Sequence, residues 1–326
     1  MTGITRRQAL ATLSASSLLL SQAASAQEFT RPVRLVVCFA PGGGSDSLAR
    51  QITGPLGDAL KQPVIVDNRP GGNFSIALSY VASQPADGHT LLLTDPAQLV
   101  LNPAVYKKVP YDPSGFEPVG MLHRFPFMLV INPNDPAKTL KEWVANAKAR
   151  PAGINYGSAG AGTPVHLGME MVNSATGIKG VHVPYKGVGP ALNDLIGGQV
   201  EAVFVDVGSG LQYVKAGRLK ALAVSSPTRH AVLPDVPSFT EAGFPSLQMD
   251  AWFGIVVKRG TPPALVQKLN AAVLSAVADP RVSEWIRSIA AVPAPLPNSP
   301  QDFARVMQQD SQMWTKVARD FNISLE

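Results

Sequence analysis

Residues 35–47 read LVVCFAPGGGSDS, an apolar run that passes through a glycine-rich turn into a helical pattern. Residues 154–164 read INYGSAGAGTP and repeat this arrangement much later in the chain. Such a turn leaves free backbone N–H groups at the positive end of a helix dipole, which favours an anion. The two turns together predict two lobes that both offer amides to one small anionic ligand.

Short β-branched runs alternate with helical patterns along the chain, which is typical of β-α-β units and a parallel sheet. The runs predict strands at residues 33–39, 64–67, 90–94, 127–131, 154–156, 180–183, 202–205, 221–224 and 252–257. Amphipathic patterns predict helices between them, and two longer helices at residues 263–278 and 302–318. The helix after the first turn contains Pro55, which predicts a kink.

Two of these runs, 127–131 and 252–257, are each followed by a proline-rich turn. The stretch between them carries strands and helices of its own. We therefore expect two crossover strands at a hinge, joining a first lobe of residues 27–126 plus 253–326 to a second lobe of residues 127–252. The fold class predicted is α/β with two lobes.

The N-terminus has the pattern of an export signal rather than of a folded element. Arg6 and Arg7 precede a short apolar segment, and Ala24 and Ala26 form a small-residue cleavage site before Gln27. The pattern predicts a signal peptide at residues 1–26 and a periplasmic mature chain. Both the general secretory and the twin-arginine routes fit the two arginines, and the competing interpretation is a buried N-terminal helix.

Composition and charge exclude several classes of function. The formal net charge is +5, without a basic run interleaved with aromatic residues, so we expect no nucleic-acid partner. The single Cys38 lies in an apolar run, which indicates a buried thiol without a disulfide. The five histidines have no metal-ligand spacing, and no phosphate-binding or nucleophile-elbow motif occurs, so we expect no metal and no cofactor.

Several motifs in register are similar to the periplasmic receptors of tripartite tricarboxylate transporters, the TctC or Bug family. The motifs are VVCFAPGGGSD at 36–46, VDNRPG at 66–71, PADGHT at 85–90, VHVPYKG at 181–187, LPDVP at 233–237 and WFG at 252–254. The resemblance covers the mature chain in the same order. It implies a two-lobed periplasmic binding protein of the Venus flytrap type II, monomeric, that captures a small organic carboxylate for membrane transporter subunits and is not an enzyme.

The resemblance also implies that the ligand carboxylate sits between the two turns. Glycines allow close approach, and hydroxyl groups add donors. The residues expected at the ligand are Pro41, Gly42, Gly43, Gly44, Ser45, Asp46, Ser75, Asp95, Ser158, Ala159, Gly160, Gly162, Thr163, His166 and Asp206. The competing interpretation is a pair of tight strand-to-helix connections, with Ser45, Asp46 and Thr163 as helix caps.

The far wall of the expected pocket departs from the family pattern. Residues 72–77 read GNFSIA where relatives have a glycine-richer turn, so Phe74 and Ser75 change the wall. Asp95 stands where small or amide residues are common in the family, and Asp250 stands where a small hydroxyl residue is common, whereas Asp206 matches the family. These carboxylates either bind a cationic or hydroxylated group at the distal end of the ligand or serve as helix caps.

Two further alternatives remain open at this stage. An exported α/β hydrolase would use Ser158 or Ser45 as nucleophile, with a Ser158–His166 pair as one arrangement. A ligand-sensing receptor or an adhesion protein would use the same fold without transport. Lys186 either steers anions towards the cleft or is a solvated lysine.

Overall fold

The computed structural model describes residues 29–42, 44–185, 187–320 and 324. Its strands are β1 Val33–Val37, β2 Val64–Asn68, β3 Thr90–Thr94, β4 Phe116–Ile131, β5 Ile154–Ser158, β6 Gly180–Pro184, β7 Ala202–Asp206, β8 Lys220–Val224, β9 Asp250–Lys258 and β10 Val292–Pro293. Its α-helices are α1 Gly44–Leu60, α2 Ser75–Ser83, α3 Asn102–Val105, α4 Leu140–Lys148, α5 Pro164–Thr176, α6 Val188–Ile196, α7 Val207–Lys215, α8 Pro263–Ala278, α9 Pro280–Ser288 and α10 Pro300–Asp320. The expected leader, Gly43 and Lys186 lie outside the described residues.

The predicted strands and long helices are present, and the main difference concerns β4. This strand begins at Phe116, well before the predicted start at residue 127. Pro118 and Gly120 lower the intrinsic strand preference of the early part. Pairing with β9 overrides that preference. A shift in the pairing register between Pro118 and Gly120 accommodates the two residues in the strand. The helix α1 continues through Pro55.

The strand β4 passes from one half of the sheet to the other. It pairs with β9 in antiparallel fashion up to Pro126, and from Phe127 onward it pairs with β7 and β8 instead. The first lobe is therefore built on β1, β2, β3, β9 and β10, and the second on β5 to β8. This confirms the two-lobed α/β fold. The lobe boundaries at residues 27–126, 127–252 and 253–326 stay a prediction.

The second expected crossover, β9, differs in detail from β4. It pairs only with first-lobe strands, β3 and β4, along its described register. The chain leaves the second lobe one residue before β9, where the Met249 amide donates to the Ser225 carbonyl of that lobe. Both connections between lobes therefore lie side by side, which is the arrangement of a hinge.

Candidate functional site

The carboxyl ends of the parallel strands in both lobes face the point where β4 changes sheet. Thr94, at the end of β3, lies opposite Gly254, so the start of β9 projects beyond this edge towards Pro126. Asp206, at the end of β7, lies opposite Phe127, the next residue of β4. Ligands of open α/β sheets bind outside the carboxyl ends of the strands. The register thus places the ends of the strands before both glycine-rich turns on the side of the sheets that faces this point.

The first turn is held closed by Asp46. Its carboxylate accepts a hydrogen bond from the Gly42 amide at 2.9 Å and two from Arg50, at 2.9 and 3.0 Å. Arg50 and then the Gly42 amide lower the pKa of Asp46 to about 2. The Asp46 carboxylate therefore already has partners within the turn, while the exposed Gly44 begins the long helix α1.

The second turn has backbone torsions that favour glycine. Gly160 has φ of 128° and Gly162 has φ of 75°. Thr163 caps α5, because its hydroxyl accepts from the His166 amide at 3.3 Å and donates to the Gly160 carbonyl at 2.8 Å. The cap interpretation of Thr163 is confirmed, with Pro164 as the first helical residue.

Two histidines lie against the second turn as a stacked pair. The rings of His166 and His182 are 3.8 Å apart between centroids. The Gly162 amide donates to His166 Nδ1 at 3.1 Å, so this nitrogen is unprotonated. Burial and then the neighbouring His182 lower the pKa of His166 to about 4. The His166 ring is therefore uncharged near neutral pH. The second turn attracts an anion through backbone dipoles rather than through a positive charge on this ring.

The Ser158–His166 pair of the hydrolase alternative is not formed, because Ser158 pairs with a different histidine. Its Oγ lies 2.6 Å from His182 Nε2 and accepts from the Gly160 amide at 3.1 Å. Within the described part of the chain, His182 has no carboxylate hydrogen-bonded to its other nitrogen. Ser158 is fully buried. Its hydroxyl supports the turn, and the serine–histidine–acid arrangement is incomplete.

The three carboxylates of the expected distal wall all have local partners. Asp95 accepts from the Ala97 amide at 2.7 Å, and Asp206 caps α7 by accepting from the Ser209 amide at 2.8 Å. Asp250 forms an ion pair with Arg124 at 2.7 Å. Burial nevertheless raises the pKa of Asp250 to about 6. None of these contacts requires a cationic group on the ligand.

Replacing Asp95 by Asn is expected to stabilise the protein above pH 7. Burial raises the pKa of Asp95 from 3.8 to about 6, so ionisation in the folded state costs free energy that increases between these two values. An amide oxygen still accepts from Ala97. Thermal melting should show a gain of about 1–2 kcal/mol at pH 8 that disappears near pH 4. The Asp112→Asn control should give the opposite sign, because hydrogen bonds from Ser114 lower the pKa of Asp112.

A cavity of about 590 Å³ lies between the lobes, and we call it the hinge chamber. Its wall includes Gly44, His123, Phe125, Asp206, Phe253 and Trp285. Of the expected site residues, Gly44 and Asp206 line it, and no described residue of the second turn does. At one end the lobes approach closely, since a Cβ on Gly208 would lie 2.6 Å from the Ile289 carbonyl oxygen.

The remaining expected residues lie near these features without a shown ligand role. Pro41 and Gly42 are exposed, Ser45 is buried, and the backbone around Ala159 is half-buried. Ser75 begins α2, after a tight turn in which Phe74 adopts φ of 71° and its ring packs against Phe39. Ligand contact by the expected residues stays a prediction.

Sequence reasoning missed the aromatic residues of the hinge chamber. Their signal was present, because His123 and Phe125 alternate with the same period as Phe127 further along the strand. The predicted strand begins only at residue 127, after His123 and Phe125, so these two residues were not expected in it.

Within the described residues there is no cluster of side chains able to hold a metal ion and no helix long and apolar enough to cross a membrane.

Solved structures of similar proteins share the fold along nearly the whole chain. A Rhodopseudomonas palustris protein solved with adipate is 35% identical, with a TM-score of 0.78 over 90% of this chain and 98% of that one. MatC from the same species, solved with bound malate, is 33% identical, with a TM-score of 0.74 over 88% and 99%. The periplasmic binding protein BugD is 30% identical, with a TM-score of 0.76 over 91% and 100%.

The family comparison agrees with these structures. Residues 48–323 match the model of the TctC family, described as the tripartite tricarboxylate transporter family receptor. The match spans both lobes and the hinge between them. The resemblance to the TctC or Bug family that the sequence motifs indicated is confirmed. The fold is that of a periplasmic binding protein. This chain belongs to the tripartite tricarboxylate transporter receptor family.

Proposed function

We propose that this protein is a periplasmic solute receptor that binds a small organic carboxylate between its lobes and delivers it to the membrane subunits of a tripartite tricarboxylate-type transporter. One observation carries the proposal. Two glycine-rich turns, each starting a helix, lie at strand ends that face one crossing point of the chain. Helix starts of this kind are suited to a carboxylate.

The internal bonding keeps both turns rigid, and because it occupies the Gly42, Gly160 and Gly162 amides, the ligand is proposed to bind the other amides of the turns. Asp46 fixes the first turn, and Ser158 and Thr163 fix the second through contacts with Gly160. A turn that is held in place before binding loses little conformational entropy on binding. Relatives solved with malate and adipate, both carboxylates, support a carboxylate as the class of ligand.

Closure of the two lobes explains how binding is signalled to a transporter. A ligand that bridges both turns completes its hydrogen bonds only when the lobes are together, so it shifts the population towards the closed state. The two connections between the lobes are adjacent, one within β4 and one just before β9. They allow this motion without unfolding either sheet. A sensory system would read the same closed state, but the family assignment favours transport.

A receptor role accounts for the site better than hydrolysis. Ser158 is fully buried, and its histidine partner His182 lacks a carboxylate that would orient it, among the residues described. A nucleophilic serine needs both access and an activating base. We therefore propose reversible, stoichiometric binding without turnover.

Thermal melting of the refolded, ligand-free mature protein is expected to identify a carboxylate ligand. A ligand present at 100 times its dissociation constant stabilises the folded state by about 2.7 kcal/mol, a shift of several degrees. The matching primary amide serves as the control and should give no shift. Equal shifts with acid and amide, or no shift with any of a broad set of carboxylates, would contradict the proposal.

A further inference from the structure

The first-lobe side of the hinge chamber is aromatic. Phe125 and Phe253 contact each other with ring centroids 5.7 Å apart, and Trp285 of α9 contributes a third ring to the wall. All three side chains are half-buried, so part of each ring faces the chamber rather than the packed core. Aromatic walls favour flat, apolar groups, which stack or meet them edge to face.

His123 lies among these rings without a hydrogen-bond partner. It is 2% exposed and lines the chamber. Neither of its ring nitrogens makes a hydrogen bond to a described residue. An unpaired buried polar group costs free energy, so this imidazole is suited to a partner that arrives with a ligand.

The charges of the chamber argue against a second carboxylate at this end of a ligand. Among the described residues that line it there is no lysine or arginine, whereas Asp206 contributes an acidic side chain. Burial lowers the pKa of His123 to about 4, so its ring is neutral at physiological pH. A neutral imidazole donates one hydrogen bond and accepts another. An uncharged hydroxyl or amide matches the neutral imidazole, whereas a second carboxylate would share the chamber with the Asp206 carboxylate and would gain no charge from His123.

We infer that the hinge chamber holds the body of the ligand, which is an aromatic monocarboxylate whose ring carries an uncharged hydrogen-bonding substituent facing His123. Gly44 places the chamber beside the first glycine-rich turn, because it lines the chamber and also begins α1 there. The volume of about 590 Å³ accommodates one substituted ring. This inference rests on the proposed function, since it assumes a carboxylate at the turns.

Calorimetric titration of the ligand-free protein with five acids tests the inference. The acids are 4-hydroxybenzoate, benzoate, cyclohexanecarboxylate, terephthalate and adipate. We expect 4-hydroxybenzoate to bind about tenfold more tightly than benzoate, as one neutral hydrogen bond provides. We expect benzoate to bind more tightly than cyclohexanecarboxylate and both dicarboxylates. Tighter binding of adipate or terephthalate than of 4-hydroxybenzoate overturns the inference but leaves the proposed function standing. If none of the five acids binds, the inference is overturned, and the melting test with the broad set of carboxylates decides the proposed function separately.

Two variants locate the effect in the chamber. His123→Phe keeps the ring and removes both nitrogens, so 4-hydroxybenzoate should weaken about tenfold and benzoate should not change. Phe253→Leu should weaken both aromatic acids together. His89→Phe is the matched control, because His89 is buried outside the chamber and should leave both affinities unchanged. A preference for 4-hydroxybenzoate that survives His123→Phe overturns the assignment of the substituent to His123.

Discussion

Gly160→Val is expected to weaken carboxylate binding by on the order of 100-fold or more. Gly160 has φ of 128°, a conformation that valine adopts only under strain. A Cβ there would meet the Tyr185 carbonyl oxygen at 3.5 Å, which is ordinary contact, so the effect comes from the backbone rather than from a clash. The turn should rearrange and turn its amides away from the ligand, while each lobe keeps its core.

A second glycine separates this effect from a general loss of stability. Gly198 follows α6, has φ of 75° and has open space where a Cβ would lie. Gly198→Val should therefore impose a related backbone strain away from the cleft and leave ligand affinity unchanged. Calorimetric titration of both variants, with circular dichroism to check folding, makes the comparison. A folded Gly160→Val protein that binds within about threefold of the parent would contradict the placement of the carboxylate at the second turn.

Trp252→Ala is expected to destabilise the protein by about 3–5 kcal/mol, or roughly 10 °C in melting temperature. Trp252 lies in β9 at the hinge and is fully buried. Its ring meets Phe303 of α10 edge to face at 4.9 Å, and its indole nitrogen donates to Asp310 at 2.7 Å. Truncation would leave a large void and remove the donor from a carboxylate whose pKa burial already raises.

Two other variants divide this loss into its parts. Trp252→Phe keeps most of the apolar packing and removes only the donor to Asp310, so it should cost about 1–3 kcal/mol. Trp285→Ala is the matched truncation of a half-buried tryptophan and should cost clearly less than Trp252→Ala. Chemical denaturation measures all three. Equal losses for Trp252→Ala and Trp285→Ala would show that the hinge packing around β9 is not a main source of stability.

The elements that repeat a local pattern were predictable from the sequence. Four apolar residues recur every four positions in α1 and form its buried face, namely Leu48, Ile52, Leu56 and Leu60. The β-branched runs predicted most of the strands because buried parallel strands are continuously apolar. The long helix α8 has the bounds expected from its amphipathic pattern.

Contacts between distant segments were not predictable in the same way. Ser158 lies beside His182 rather than His166, because β5 and β6 pair in parallel with Tyr156 opposite His182. Sequence spacing placed His166 closer along the chain, but strand register decides which ring reaches the hydroxyl. The ion pair of Asp250 with Arg124 arises likewise from the pairing of β9 with β4.

The sequence by itself determined the two-lobed α/β class and the two glycine-rich turns, because turn chemistry and apolar periodicity act over a few neighbouring residues, and its motifs in register indicated the family. Only the tertiary structure decided where β4 changes sheet and which side chains meet there. His123 and Phe253 belong to strands that are far apart in sequence, and antiparallel pairing sets them opposite each other. The hinge chamber therefore follows from long-range register, which depends on the free energy of the whole sheet rather than on any local preference.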